Sequence, residues 1–383
     1  MEKCRLVSII LFVHTIILSI SSINCTENNS KLVTNQAALF VFGDSLFDPG
    51  NNNYINTTNR ANFFPYGQTF FKFPTGRVSD GRLIPDFIAE KAWLPLIPPN
   101  LQPSNSNSQF TYGVSFASAG AGALVESFSG QVIDLGTQLK SFKNVKRRLR
   151  SALGEAETKR IFSRAVYLFN IGGNDLFYAL FQTSSLVNLN AKQKLVDLII
   201  GNTTSVVEEV YKMGGRKFGF LNVGAYDCAP GASILDTANI GSCNKPVTEL
   251  IDLHNKKFPD GLRRLQRELS GFKYALHDYR TSLLDRINNP SKYGNWNNLV
   301  ITYIWFKEGN KACCGSGPLR GMPTCGINQT GLSYELCEDV TNYLFFDSAH
   351  LTEKAHRQFA ELIWSGPRNV TGPYNLKALF ELN

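Results

Sequence analysis

Four short segments of this chain are almost continuously apolar, and each stops at small, polar or turn-forming residues. Residues 37–42 (AALFVF) run into Gly43-Asp44-Ser45, and residues 165–171 (AVYLFNI) into Gly172-Gly173-Asn174-Asp175. Residues 217–223 (KFGFLNV) run into Gly224, and a fourth segment, 272–276, precedes His277 and Asp278. Apolar runs without alternation fit strands buried on both faces, as in a parallel sheet. Between them the spacing turns helical, predicting helices over 136–153, 191–213 and 247–269 and a last one over 352–364. Strands alternating with helices predict an α/β fold with a parallel sheet. Such sheets bind ligands beyond the carboxyl ends of their strands, which directs attention to Ser45, Asn174 and their neighbours. No Gly/Ser-rich or Pro-rich linker and no internal repeat interrupts the pattern, so one αβα domain over 26–383 is expected. Pro-, Asn- and Ser-rich stretches such as 95–108 read as surface loops.

The first 25 residues are patterned differently. Lys3 and Arg5 precede an apolar run over 6–20, followed by Ser21, Ser22 and Cys25, the three-part plan of a secretory signal peptide. That run contains His14 and is shorter than the roughly 20 residues that span a bilayer. With no second run of spanning length, the mature protein is expected to be secreted and to have no membrane span. Six of the eight cysteines (Cys228, Cys243, Cys313, Cys314, Cys325 and Cys337) lie in the second half. An even set in a secreted chain predicts up to three disulfides, and the short Cys228 to Cys243 loop makes that pair the first expectation. A zinc site is the weaker alternative, because Cys-x-x-Cys and paired histidines at ligand spacing are both missing. Asn24, Asn28, Asn56, Asn202, Asn328 and Asn369 stand in Asn-x-Ser/Thr sequons, which fits a glycosylated protein.

A hydrophobic share of 43% with 18% charged residues is that of a globular protein and excludes disorder and fibrous architectures. The formal net charge is +8, with basic residues scattered except over 143–150 (KNVKRRLR). This run reads as the solvated face of a helix rather than a nucleic-acid patch, so no nucleic-acid partner is expected.

Candidate chemistry gathers at three places. Gly43-Asp44-Ser45-Leu46 sets a serine directly after a buried strand, where it can be a nucleophile or simply the cap of a following helix. Near the other end, Phe346-Asp347-Ser348-Ala349-His350 sets an Asp three residues before a His, so one loop can carry an imidazole and the carboxylate that fixes its tautomer. His356, six residues on and inside a helical segment, reads as structural. Acyl transfer also needs donors for an oxyanion. The Asn174 amide and a backbone N–H of Gly120 or Gly122, in the small-residue run 115–124 (SFASAGAGAL), are the candidates, although Gly-Gly-Asn-Asp is also turn chemistry and an Ala/Gly run also packs tightly. Gly-x-Ser-x-Gly, Walker, Gly-x-Gly-x-x-Gly and His-Glu-x-x-His motifs are all missing, so no cofactor and no metal is expected.

In combination and in this order, the stretches 40–53 (FVFGDSLFDPGNNN), 73–90 (FPTGRVSDGRLIPDFIAE), 112–124, 171–176 (IGGNDL), 311–315 (KACCG) and 346–351 (FDSAHL) resemble the GDSL esterase/lipase family, the SGNH hydrolases, and within it the large secreted plant subgroup. The resemblance implies a flavodoxin-like αβα sandwich and a serine mechanism acting on carboxylic esters of lipids or other acyl groups. It assigns Ser45 as nucleophile, His350 as general base and Asp347 as the residue orienting it. It also assigns an oxyanion hole of the Ser45 N–H, a glycine N–H and Asn174. Ser115 stands where the family commonly has Asn, and Ala119 where a second Gly often stands; Gly120 is favoured as the donor and Gly122 is second. An acyltransferase using the same serine and a catalytically silent secreted accessory protein are the competing readings. An extracellular or cell-wall location and a part in lipid breakdown or defence are what the resemblance further implies.

Overall fold

The computed structural model describes residues 36–182, 188–292, 305–327 and 333–382. The expected signal peptide, Cys4, Cys25 and the sequons at Asn24, Asn28 and Asn328 lie outside the described residues.

The frame is a six-stranded sheet. β1 (Leu39–Gly43), β2 (Gly113–Ser115), β3 (Val166–Asn170), β4 (Lys217–Leu221), β5 (Lys273–His277) and β6 (Thr371–Pro373) stand in the order β6-β5-β4-β3-β1-β2. All neighbours are parallel except β6, which runs antiparallel to β5 at the edge. The four predicted strands are β1, β3, β4 and β5, within two residues at each end. The three-residue strands β2 and β6 are too short to show in a hydrophobic pattern.

The absence of alternation in the strand sequences has its cause in the packing. Phe40 and Phe42 of β1, Tyr167 and Phe169 of β3, and Phe218 and Phe220 of β4 face one apolar layer. Leu39, Val41, Val166, Leu168 and Leu221 face the other. The first layer is covered by α2 (Leu135–Leu153), α3 (Glu155–Arg164), α5 (Leu189–Lys212) and α6 (Lys245–Glu268). The second is covered by α1 (Ile84–Lys91), α7 (Tyr279–Asn288), α8 (Glu353–Ser365) and α9 (Leu376–Glu381). On the first face the rings form a ladder across the strands: Phe42 stacks on Phe169 at 4.6 Å, Tyr167 on Phe218 at 5.4 Å, and Phe218 on Phe272 at 4.7 Å. Much of the chain's phenylalanine is therefore core, with each fully buried ring contributing about 1.5–3 kcal/mol.

The helix predicted over 136–153 begins where Asp134 caps it by accepting the Thr137 N–H at 3.0 Å. On its outer face Lys143 pairs with Glu209 at 2.9 Å, while Lys146 Nζ donates to the Met213 carbonyl. The Gly-Gly-Asn-Asp segment departs from its turn reading: Gly173 already begins a helix, α4 (Gly173–Gln182). Three disulfides form, the expected Cys228–Cys243 together with Cys313–Cys337 and Cys314–Cys325. The last two pin the segment between α7 and α8, whose described residues form short two-stranded ladders and 3-10 turns.

Candidate active site

In this strand order the chain leaves β1 toward β2 on one side and returns to β3 on the other, so a crevice opens beyond the carboxyl ends of β1 and β3. Ser45 lies two residues past β1, and Asn174 four residues past β3. The two strands run in register to their ends, where Gly43 faces Asn170. A Cβ on Gly43 would meet the Asn170 carbonyl oxygen at 2.4 Å, so only glycine allows the turn that follows to start here. Gln138 of α2 fixes this strand end by accepting the Gly43 N–H at 2.9 Å and donating to its carbonyl at 2.8 Å.

The base arrives from the far end of the chain. His350 Nε2 is 2.9 Å from Ser45 Oγ, and His350 Nδ1 is 2.8 and 3.0 Å from the two oxygens of Asp347. Asp347 Oδ1 also accepts the N–H groups of Ala349 and His350, and Oδ2 accepts the Tyr66 hydroxyl at 2.8 Å. Burial pushes the Asp347 carboxyl up, but the neighbouring imidazole and this set of donors outweigh it and hold the group at about 2. For His350 burial lowers the pKa, and the Asp347 charge and hydrogen bond outweigh that, leaving the imidazole above its usual 6.5. Ser45, His350 and Asp347 thus form one hydrogen-bonded chain across a separation of about 300 residues in sequence.

Ser45, Gly120 and Asn174, the three residues named as candidate donors, line one cavity of about 570 Å³ together with His350. The backbone N–H groups of Ser45 and Gly120 donate to no acceptor among the described residues. One Asn174 amide hydrogen goes to the Ala121 carbonyl at 2.9 Å, which sets the plane of the amide and leaves its second hydrogen free. Asn174 also sits in the first turn of α4, whose positive dipole end adds to the site's preference for negative charge. Gly120 has φ +86°, the left-handed region. Gly122, the second candidate, is set back from the cavity lining; its Cα packs against Asp175 and Ser127, where a Cβ would come within 2.2 Å of the carboxylate.

Several residues that organise the site have no role in the sequence reading. Asp48 accepts the N–H groups of Gly50 and Asn51, and also that of Ala119, tying the segment after Ser45 to the segment carrying Gly120. Asn51 donates to the carbonyls of Ser115 and Ala117, and Asn52 to that of Ala119. Asp175 accepts from Ala123, Leu124 and Ser127, joining the Gly120 segment to α4. Asp44 lies under Ser45, holding the Leu46 N–H and the Asn170 amide at 3.0 Å each; burial pushes its carboxyl up to about 7 against those two bonds and the His350 charge. A cluster of Asp and Asn between two apolar runs was the available signal, since such residues in a buried turn must find partners. Ser115 sits in β2 and donates to the Phe47 carbonyl at 3.2 Å, which takes it out of the donor set. His356 is buried in α8, as expected of a structural residue. Among potential metal ligands, Cys228 and Cys243 lie beside Asp227 but are bonded to each other, and Asp227 is bonded to Arg280.

The sequence matches the family described as GDSL-like Lipase/Acylhydrolase over residues 39–363. It is 71% identical over 382 residues to GDSL esterase/lipase 3 of Arabidopsis thaliana, covering 99% of each chain. GDSL esterase/lipase 1 and GDSL esterase/lipase 2 of the same plant are each 66% identical over 387 residues, covering the whole of both chains.

Proposed function

The chain belongs to the GDSL-like lipase/acylhydrolase family of carboxylic-ester hydrolases, and from that premise we propose that it is a secreted serine esterase/lipase acting through an acyl-enzyme on Ser45. The observation that carries the assignment of residues is the unbroken chain from Ser45 Oγ through the His350 imidazole to the Asp347 carboxylate, open to the cavity at its serine end. His350 Nε2 takes the Ser45 proton as Oγ attacks the ester carbonyl, and Asp347 keeps the proton on Nδ1 and offsets the charge that forms on the ring. The oxyanion is held by the N–H groups of Ser45 and Gly120 and by the Asn174 amide. The imidazolium then protonates the leaving alcohol, and a water activated by the same imidazole releases the acid. Secretion is supported by the leader pattern, by three disulfides, and by the exposure of the described sequon asparagines Asn56, Asn202 and Asn369. Among the described residues no helix is long and apolar enough to cross a membrane.

The test is hydrolysis of short and medium p-nitrophenyl esters by the purified protein beside Ser45→Ala. Turnover by the natural protein and none above background by the variant is the expected result. A variant that turns over at the natural rate would sink the assignment of Ser45.

A further inference from the structure

We infer that Arg60 makes this an esterase for amphiphilic esters that carry an anionic oxygen group, a carboxylate or a phosphate, and an apolar arm. The inference rests on the reading of the site as an esterase. Its starting point is an imbalance in the cavity wall. Apolar side chains, among them Phe63, Phe128, Phe177 and Leu235, line the cavity together with Asn59 and Arg60. Each acidic side chain lining the cavity already has partners. Asp347 holds His350 and Tyr66, and Asp44 holds the Leu46 N–H and Asn170. Arg60 does not share in these pairs. One of its terminal nitrogens donates to the Ile55 carbonyl, its buried Nε has no hydrogen-bond partner, and no carboxylate pairs with it among the described residues.

A guanidinium is permanently charged and offers five donors in a planar fork, and the second terminal nitrogen of Arg60, which is not buried and donates to no acceptor among the described residues, is the group left for a partner that arrives later. Carboxylates and phosphates present the two-oxygen edge that matches this fork. Arg60 also lines the same cavity as Ser45 and His350. It follows Asn59, whose side-chain nitrogen lies 2.9 Å from where a Cβ of Gly120 would stand, and the Gly120 N–H is one of the donors assigned to the oxyanion. An anionic group on Arg60 therefore shares the cavity with the developing oxyanion, while an apolar arm has the aromatic lining to pack against.

Two matched pairs of esters test this. In the first, mono-p-nitrophenyl glutarate is compared with p-nitrophenyl pentanoate, placing a carboxylate on the acyl side. In the second, 1-butyrylglycerol 3-phosphate is compared with 1-butyrylglycerol, placing a phosphate on the alcohol side. In at least one pair the natural protein is expected to prefer the charged ester in kcat/KM, and Arg60→Gln to lower that preference by about tenfold, with Arg60→Lys in between. Raising the salt from about 0.02 to 0.5 M should erode the preference in the natural protein, a reading that requires no variant to fold. Preference in the first pair identifies a carboxylate ester, and in the second a phosphate ester. Turnover of the neutral esters without preference for either charged one overturns this inference and leaves the esterase reading standing. A preference that Arg60→Gln leaves within twofold overturns it too. No turnover of any ester by folded protein sinks the esterase reading, and this inference with it.

Discussion

Ser45 follows a strand that has parallel neighbours on both sides and an apolar layer above and below, whereas Asp347 and His350 lie on a loop whose nearest ladders are built from strands of two to five residues. The two halves of the proposed triad are thus held by different means. On the nucleophile side the position comes from the sheet: β1 is bonded to β2 and β3, its side chains enter both cores, and Gln138 fastens its last residue. On the base side the flanking Leu344, Phe345 and Leu351 enter the second core, and the turn between them is set by a few discrete links. The Phe346 N–H donates to the His350 carbonyl at 2.7 Å, closing the loop on itself, and the Cys313 and Cys314 N–H groups donate to the carbonyls of Phe345 and Phe346. The Cys313–Cys337 and Cys314–Cys325 disulfides sit with Phe346 and Tyr66 in a small separate cluster beside the cavity. Burial spread over many residues tolerates the loss of one contact, while a loop held by single links does not.

The largest expected effect within this contrast comes from the base side. Asp347→Asn should lower turnover of p-nitrophenyl butyrate by about 10³–10⁴, because the amide neither holds the imidazole in its working tautomer nor stabilises its charged form. The sign of the pH effect follows from the same pair. His350 works only when neutral, so activity rises as pH climbs through its pKa, and the Asp347 charge holds that pKa above 6.5. Removing the charge should move the acid limb of kcat/KM to lower pH. A loss under tenfold with an unmoved limb would take Asp347 out of the triad. Next in size is Asn174→Ala, which removes one of three donors at the end of β3 and should cost about 10²–10³ in kcat with α4 still folded by circular dichroism. A cost below threefold would leave the oxyanion to the two backbone N–H groups.

What the sequence makes legible divides along the same line. The strands β1, β3, β4 and β5 are visible because two-sided burial demands apolar residues at nearly every position, and α2, α5, α6 and α8 because one buried stripe imposes helical spacing. Ser45, Asn174, Asp347 and His350 are visible as residue types at suggestive places, and the meeting of Ser45 with His350 follows from the resemblance rather than from any local pattern. The supporting shell is hidden. Asp48, Asn51, Asn52 and Asp175 act through hydrogen bonds to backbone groups 51 to 71 residues away in sequence, and such bonds leave no periodicity. Two of the three disulfide pairings are hidden for a like reason: adjacent Cys313 and Cys314 part to different partners, which is decided by how the short ladders lie.

Replacing both Cys313 and Cys337 by Ala tests the contrast directly. The link spans 24 residues, and its removal should loosen the base side by about 3 kcal/mol while the sheet is untouched. Esterase activity is then expected to disappear at a lower temperature than the far-ultraviolet circular dichroism signal, whereas the two losses coincide in the natural protein. Two losses that shift together would mean that sheet and base loop melt as one unit.

The smallest expected effect concerns Tyr66, the side chain from the first half of the chain that donates to Asp347. The Tyr66 ring packs edge-on against Phe63 and Phe346, each at 5.3 Å, so Tyr66→Phe keeps the packing and removes only the hydroxyl that donates to Asp347. The carboxylate, with one donor fewer, attracts the imidazolium more strongly, so the His350 pKa should rise. The acid limb of kcat/KM is then expected to move to higher pH, opposite to its movement in Asp347→Asn, while turnover well above the limb falls by less than about tenfold. Opposite movements in the two variants would establish that both act through the charge on one imidazole. A limb that stays in place in Tyr66→Phe would instead mean that the N–H groups of Ala349 and His350 suffice to set the carboxylate, and that the base side is organised without the first half of the chain.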